Sequence, residues 1–240
     1  MDKAPSLLRI FAQISVMLLF LKKYRIFLIA MFLVSAVSIA AFYTALKPKK
    51  TLKIYSPADV NPEMVDSTLQ DIRKVHTIAD FAFVNQNGKT ITQKDYEGKI
   101  YVADFFFTTC KSICPIMTSN MVDVQKAIAN NPKVMILSHT VMPDVDSVPV
   151  LKKYALEKGV NDAKWNLVTG DKKDIYAIAR KSYLAVKLGK PEELYDMVHT
   201  ENFVLVDAKR RVRGFYDGTN KEDVKRLIDD IKWLSSQEND

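Results

Sequence analysis

Cysteine is nearly absent from this chain. Two stand among 240 residues, Cys110 and Cys114, and both fall within "DFFFTTCKSICPIMTSNM", residues 104–121. Such a pair leaves three readings: a structural disulfide, a redox dithiol, or two ligands for a metal. A disulfide here closes a tiny loop and removes little entropy from the unfolded chain. Histidine is almost as scarce. His76, His139 and His199 are the three, so any imidazole ligand must be one of them. Internal repeats and low-complexity tracts are missing, which excludes repeat architectures. Acidic residues are nearly missing from the N-terminal segment: residues 1–53 hold nine Lys/Arg and one acid, Asp2.

That asymmetry locates the formal net charge of +7. The remainder of the chain holds 26 basic and 27 acidic residues and is close to neutral. Nucleic-acid binding by the main domain is therefore not expected. The hydrophobic fraction of 48% and charged fraction of 26% are those of a folded globular protein.

The basic segment brackets a long apolar run. Ile26–Leu46, "IFLIAMFLVSAVSIAAFYTAL", is 21 residues without a charge, and a helix of about 20 residues spans the hydrocarbon core of a bilayer. Lys22, Lys23 and Arg25 flank one end, and Lys47, Lys49 and Lys50 the other. A transmembrane anchor over 26–46 is expected, rather than a cleaved signal peptide, since no small-residue cleavage site follows. The similar charge on both sides gives the positive-inside rule little to decide. Upstream, residues 1–25 form a tail whose Leu7–Leu21 stretch, broken by Arg9 and Gln13, reads as an amphipathic helix on the membrane surface. The alternative, a second span there, would invert the topology.

Beyond the anchor, residues 47–75 read as a polar linker with a short amphipathic piece at "PEMVDSTLQDI". A compact domain is expected over 76–238. "NQNGKT" is a hairpin turn. "KIYVADFFF" (Lys99–Phe107) is a buried central strand. Pro115 belongs in the first turn of a helix, so one should start near Ile113–Pro115. Met117, Met121, Val124 and Ile128 then share one face. "KVMILS" and "WNLVTG" are strands, and helices follow each. "NFVLVDAKRRVRGFYDG" gives two strands joined by a turn at Asp207–Arg210. A closing helix over "TNKEDVKRLIDDIKWL" starts with a Thr219/Glu222 capping box. The order predicts an α/β fold, a mixed sheet with helices on both faces.

Cys110 thus lies in a strand-to-helix loop and Cys114 at a helix N-terminus, where backbone N–H groups and the helix dipole lower a thiol pKa. Two thiolates and an imidazole suit Cu(I) and also hold Zn(II). His199, in a loop before "NFVLVD", is the first candidate for the third ligand. His139, at a strand end, is the second, and His76 reads as structural. Met117 and Met121 are core residues by their spacing. Asp104 is a charge inside a buried strand, costly unless paired or protonated. Its side chain either escapes at the sheet margin or serves as a buried proton acceptor for the thiols.

The stretches "FFFTTCKSICPIMT", "LVTGDKKDIYAIA" and "HTENFVLVDAKRRVRGFYDG" resemble the SCO/SenC family, over His76 to Leu234. The family usually carries a "VDP…DT" motif after the strand ending here at "LSHTVMPDVDSVPVLKKYA". Asp144 and Asp146 keep part of it, while His139 and Thr140 stand at its start. The resemblance implies a thioredoxin-like fold and copper, Cu(I) or Cu(II), bound by Cys110, Cys114 and His199. It implies a metallochaperone for the copper-containing subunit of cytochrome c oxidase, with thiol reduction of that partner as an added or alternative enzymatic duty. It further implies a single-pass protein of the inner (plasma) membrane, its domain facing the periplasm. "VADFFFTTC" also resembles the thioredoxin strand, which has an Asp six residues before its first active cysteine. Asp104 has that spacing.

Overall fold

The computed structural model describes residues 7–46, 50–74, 76–185, 187–188, 197–198 and 201–237. Two compact units divide the chain, residues 1–51 and 52–240.

The first unit contains one long helix, α1 (Leu7–Leu46). The stretch read as a separate surface helix, Leu7–Leu21, continues without a break into the apolar run. Within α1, Lys22–Leu46 is long and apolar enough to cross a membrane. Its large side chains are exposed, Phe32 at 72% and Tyr43 at 70% among them.

The second unit is built on a seven-stranded mixed sheet. Its strands are β1 (Ala82–Asn85), β2 (Thr90–Thr92), β3 (Ile100–Phe106), β4 (Val134–Thr140), β5 (Trp165–Thr169), β8 (Asn202–Val206) and β9 (Val212–Asp217). Their spatial order is β2-β1-β5-β4-β3-β8-β9. β3, β4 and β5 run parallel, while β1 and β8 join antiparallel. A separate two-stranded ladder pairs β6 (Lys187–Leu188) with β7 (Met197–Val198). The β1–β2 turn closes at Gly88, whose φ of +73° suits a residue without a Cβ.

Helices cover both faces, as the alternation of strands and helices predicts. On one face, α2 (Cys114–Ala127), α3 (Val148–Lys158) and α5 (Lys221–Gln237) pack against Val102, Phe106, Ile136 and Leu205. The predicted stripe of α2 is the one buried: Met117, Met121, Val124 and Ile128 are each no more than 3% exposed. Truncating such a side chain to alanine costs about 2–5 kcal/mol. On the other face, α4 (Lys172–Lys181) brings Ile175, Ile178 and Ala179 against Tyr101, Ala103 and Phe105. β3 is buried along its whole length because elements cover it above, below and on both edges.

Two details differ from the sequence reading. The cap of α5 falls one residue later than Thr219/Glu222. Asn220 Oδ1 accepts from Glu222 N at 2.9 Å, while the Thr219 hydroxyl donates to Asp217 instead. The shift follows from the helix starting at Lys221, which makes Asn220 the residue before the first turn. Residues 52–74, part of the stretch read as a linker, lie against the sheet. Tyr55 N donates to Val212 O at 2.9 Å, and Arg213 donates to the carbonyls of Leu52 and Lys53. Arg213 is itself held by Asp207, a fully buried carboxylate that also pairs with Arg211.

Candidate functional site

The β3–β4 ladder ends at Phe106 opposite Thr140. Beyond it the chain leaves the sheet, crosses in a short loop and enters α2 at Cys114. Pro115 sits in the first turn, where its missing N–H leaves no helical bond unmade, and the Ile113 carbonyl accepts from both Ile116 N and Met117 N at 3.0 Å. This places Cys110 on the loop, half-buried, and Cys114 at the helix start, 1% exposed among Phe106, Met117 and Met121. Both are free thiols.

The two sulfurs sit in opposite electrostatic settings. Partial burial opposes ionisation of Cys110, but hydrogen bonds from Cys114 and Ser112, through side chain and backbone, outweigh it and hold this thiol below its ordinary 9.0. The Ser112 hydroxyl lies 3.6 Å from its sulfur. For Cys114, burial comes first: it pushes the thiol up to about 12, with the Cys110 sulfur and the Asp104 carboxylate adding to the rise. The helix start was expected to acidify Cys114. Cys110 is the acidified thiol instead, through the Cys114 side chain and backbone and through Ser112, while Cys114 turns into the core.

Asp104 does not escape at the sheet margin. It is 4% exposed and lies on the face that α2 covers. The Ser138 hydroxyl donates to its carboxylate, and Trp165 Nε1 donates to that hydroxyl at 2.8 Å. Burial, only partly offset by Ser138, raises Asp104 from 3.8 to about 7. Tyr154 completes the surroundings from α3, its hydroxyl 2.7 Å from Thr118 Oγ1 and its ring 5.5 Å from that of Phe106. Burial, together with the charges at Cys114, Asp104 and Cys110, pushes this phenol up to about 12 against the Thr118 hydrogen bond.

The histidines separate. His139 pairs with Phe105 in the ladder and so points to the sheet face opposite the cysteines. Its ring stacks on Phe105 at 5.1 Å and meets Phe83 edge-on at 5.5 Å. Neither ring nitrogen has a partner within close hydrogen-bond geometry, and the polar group that acts on the ring is the Asp104 backbone. Burial lowers its pKa to about 3, and the Asp104 backbone offsets this only in part. It is an apolar-box residue, not a neighbour of the thiols. His76 is structural, its Nε2 3.0 Å from the Ser182 carbonyl. Met117 and Met121 are core. His199 lies outside the described residues, and among those described no third His, Cys, Asp or Glu joins the two cysteines in a cluster of metal-ligating side chains.

Sequence reasoning missed Ser138, Trp165, Thr118 and Tyr154. The one signal for Ser138 is a hydroxyl closing the apolar run "VMIL", directly opposite Asp104 once the two strands are set in register. Asp146, singled out only as a remnant of a motif, is fully buried and accepts from Thr108 N at 3.1 Å and from the Thr108 and Thr140 hydroxyls. Asp144 is exposed.

This architecture has counterparts among known proteins. The SCO1/SenC family model matches residues 70–236. A SCO1 protein homolog of Bacillus subtilis (strain 168) is 34% identical over 163 residues, covering 67% of this chain and 84% of its own. The structure of BsSco, described as having a disulfide switch and as a member of the Sco family of cytochrome c oxidase assembly proteins, superposes with a TM-score of 0.58 at 34% identity, over 67% of this chain and 94% of that one. Copper-bound ScoI of Arabidopsis thaliana, at 24% identity and a TM-score of 0.53 over 65% and 98% of the two chains, is similar in fold. With a thioredoxin-like sheet, a CxxxC loop entering a helix and these matches, the chain belongs to the SCO1/SenC family.

Proposed function

We propose that this chain is a membrane-anchored copper-binding factor that helps assemble the copper centre of cytochrome c oxidase. The observation that carries the reading is the thiol pair itself: Cys110 half-exposed and acidified, Cys114 beside it at the helix start. Two sulfurs form a soft donor set suited to Cu(I). A site on a loop at the protein's surface can be reached by a partner with similar ligands, as transfer requires. His199 is proposed as the third ligand. The copper is cargo, passed to the copper-containing oxidase subunit. Lys22–Leu46 is proposed as a single membrane span, in the inner (plasma) membrane, with the domain facing the periplasm.

The asymmetry of the thiols supports a second duty, reduction of a disulfide in the same partner. The Cys110 thiolate attacks one partner sulfur and releases the other as thiolate. The Cys114 sulfur then attacks Cys110 Sγ, expels the second partner thiolate and leaves a Cys110–Cys114 disulfide. Asp104, proposed as acceptor, takes the Cys114 proton in that step, its raised pKa placing it near neutrality. Two electrons pass from the dithiol to the partner.

The test is anaerobic Cu(I) titration of the reduced full chain in detergent against a competing chelator, with His199→Ala alongside. One tightly held copper per chain, weakened at least tenfold by His199→Ala, is the expected result. Copper left with the competitor would overturn the copper reading and leave the dithiol enzyme. Tight binding indifferent to His199→Ala would remove His199 from the ligand set.

A further inference from the structure

The loop that carries Cys110 has few bonds of its own. From Phe107 to Ser112 its one backbone hydrogen bond within the loop is Cys110 N to Phe107 O, at 3.3 Å. Cys114 and Ser112 hold the Cys110 sulfur directly, and a further anchor for the start of the loop comes from the end of the neighbouring strand. Where the β3–β4 ladder stops, Asp146 takes over: its carboxylate accepts the Thr108 backbone N–H, the Thr108 hydroxyl and the Thr140 hydroxyl. Thr140 Oγ1 in turn accepts from Met142 N at 3.0 Å, and Asp146 N donates back to Met142 O at 2.9 Å. One fully buried side chain thereby ties the end of β3 to the end of β4, two residues before Cys110. No basic residue forms an ion pair with it among the described residues, so its partners are the donors just named. A buried carboxylate surrounded by donors at fixed positions is costly to displace.

We propose that Asp146 is a positioning residue for the thiol site: by clamping Thr108 it sets where Cys110 Sγ stands relative to Cys114 Sγ. Small displacements matter here. A dithiol's preference for the disulfide depends on how closely the two sulfurs are held to bonding geometry, and a metal held by two thiolates depends on the same spacing. The inference deepens the proposed function and rests on it for copper, but not for the dithiol.

The experiment measures two constants on the reduced full chain in detergent: the dithiol–disulfide equilibrium of Cys110/Cys114 in a glutathione buffer, and Cu(I) affinity by competition. Asp146→Ala removes the clamp. Asp146→Asn offers rescue, since one amide oxygen can take the Thr108 N–H and Thr140 hydroxyl while the NH2 donates to the Thr108 hydroxyl. Thr108→Val leaves the backbone bond and serves if Asp146→Ala does not fold. Gln125→Ala is the stability control. It breaks bonds to Gly159 O and Asn161 N at the far end of α2. The expected result is a shift of about tenfold or more in both constants for Asp146→Ala, a smaller shift in the same direction for Thr108→Val, recovery in Asp146→Asn, and no shift in Gln125→Ala despite a comparable loss of Tm. Constants within twofold of wild type in a folded Asp146→Ala would overturn the proposal, as would an equal shift in Gln125→Ala. A wild-type chain that binds no copper overturns the copper reading alone, and the dithiol equilibrium then decides Asp146 by itself.

Discussion

Asp104 and Ser138 face each other across the parallel β3–β4 ladder, and the serine hydroxyl, itself held by the Trp165 indole, is the one side chain that hydrogen-bonds the buried carboxylate among the contacts described. A single neutral donor is too little to hold a buried carboxylate ionised, which is why its pKa rises.

The pH dependence of stability follows from that rise. The folded pKa of about 7 exceeds the ordinary 3.8, so between these values the folded state binds more protons than the unfolded one. Stability contributed by Asp104 is therefore full below pH 3.8 and declines as pH rises through about 7. The ceiling on this change is on the order of 4 kcal/mol. Asp104→Asn, which keeps a carbonyl for Ser138, should flatten the decline and be the more stable protein at pH 8. Urea unfolding at pH 5 and pH 8 measures both, and a wild-type chain equally stable at the two values would contradict it.

The thiols should differ in reactivity. The thiolate is the nucleophile, and only Cys110 combines exposure with a lowered pKa. At pH 8 iodoacetamide should modify Cys110 on the order of tenfold faster than Cys114, or more. Peptide mass spectrometry of the reduced, briefly alkylated chain reads the ratio directly.

His139 should be dispensable for copper. Its ring lies on the far side of the sheet from Cys114, with neither nitrogen in close hydrogen-bond geometry and the Asp104 backbone a weak neighbour. An unsatisfied buried polar group costs about 1–3 kcal/mol, and loss of the stacking on Phe105 returns part of that. His139→Leu should be more stable by about 1 kcal/mol and bind Cu(I) within twofold of wild type. A tenfold loss of affinity would place His139 in the copper site after all.

Asp207→Ala should loosen the segment ahead of the sheet. Asp207 is fully buried and holds Arg211 at 2.7 Å and Arg213 at 2.9 Å, and Arg213 grips the Leu52 and Lys53 carbonyls. Removing one side of a buried ion pair costs on the order of 3 kcal/mol. Faster tryptic cleavage after Lys53, together with a lower urea midpoint, is the expected outcome.

What could be read from sequence was local. The apolar run of β3, the α2 stripe at 117, 121, 124 and 128, and Pro115 after the cysteines each follow from periodicity or from one residue's geometry. What could not be read depends on pairing. His139 and Ser138 are neighbours in sequence, and a one-residue change of parity decides which of them shares a face with Cys114. Only the β3–β4 register settles it. The Asp146–Thr108 clamp spans 38 residues, and no local pattern encodes it. The acidification expected of Cys114 is absent because burial, invisible in a motif, outweighs the helix start there.

Cys114 belongs to the same packed cluster as Phe106, Met121 and Leu227. Its sulfur is at once a reactive atom and a piece of the wall that helices and sheet share. Whatever bonds to it, whether a proton, the neighbouring sulfur or a metal ion, changes the shape and charge of that wall, and a close-packed interior transmits such changes. The melting temperature of the whole domain is thus a gauge of the sulfur's chemical state. By reciprocity, a substitution in the cluster that packs with Cys114, with no contact to any ligand, can retune the chemistry of the thiol.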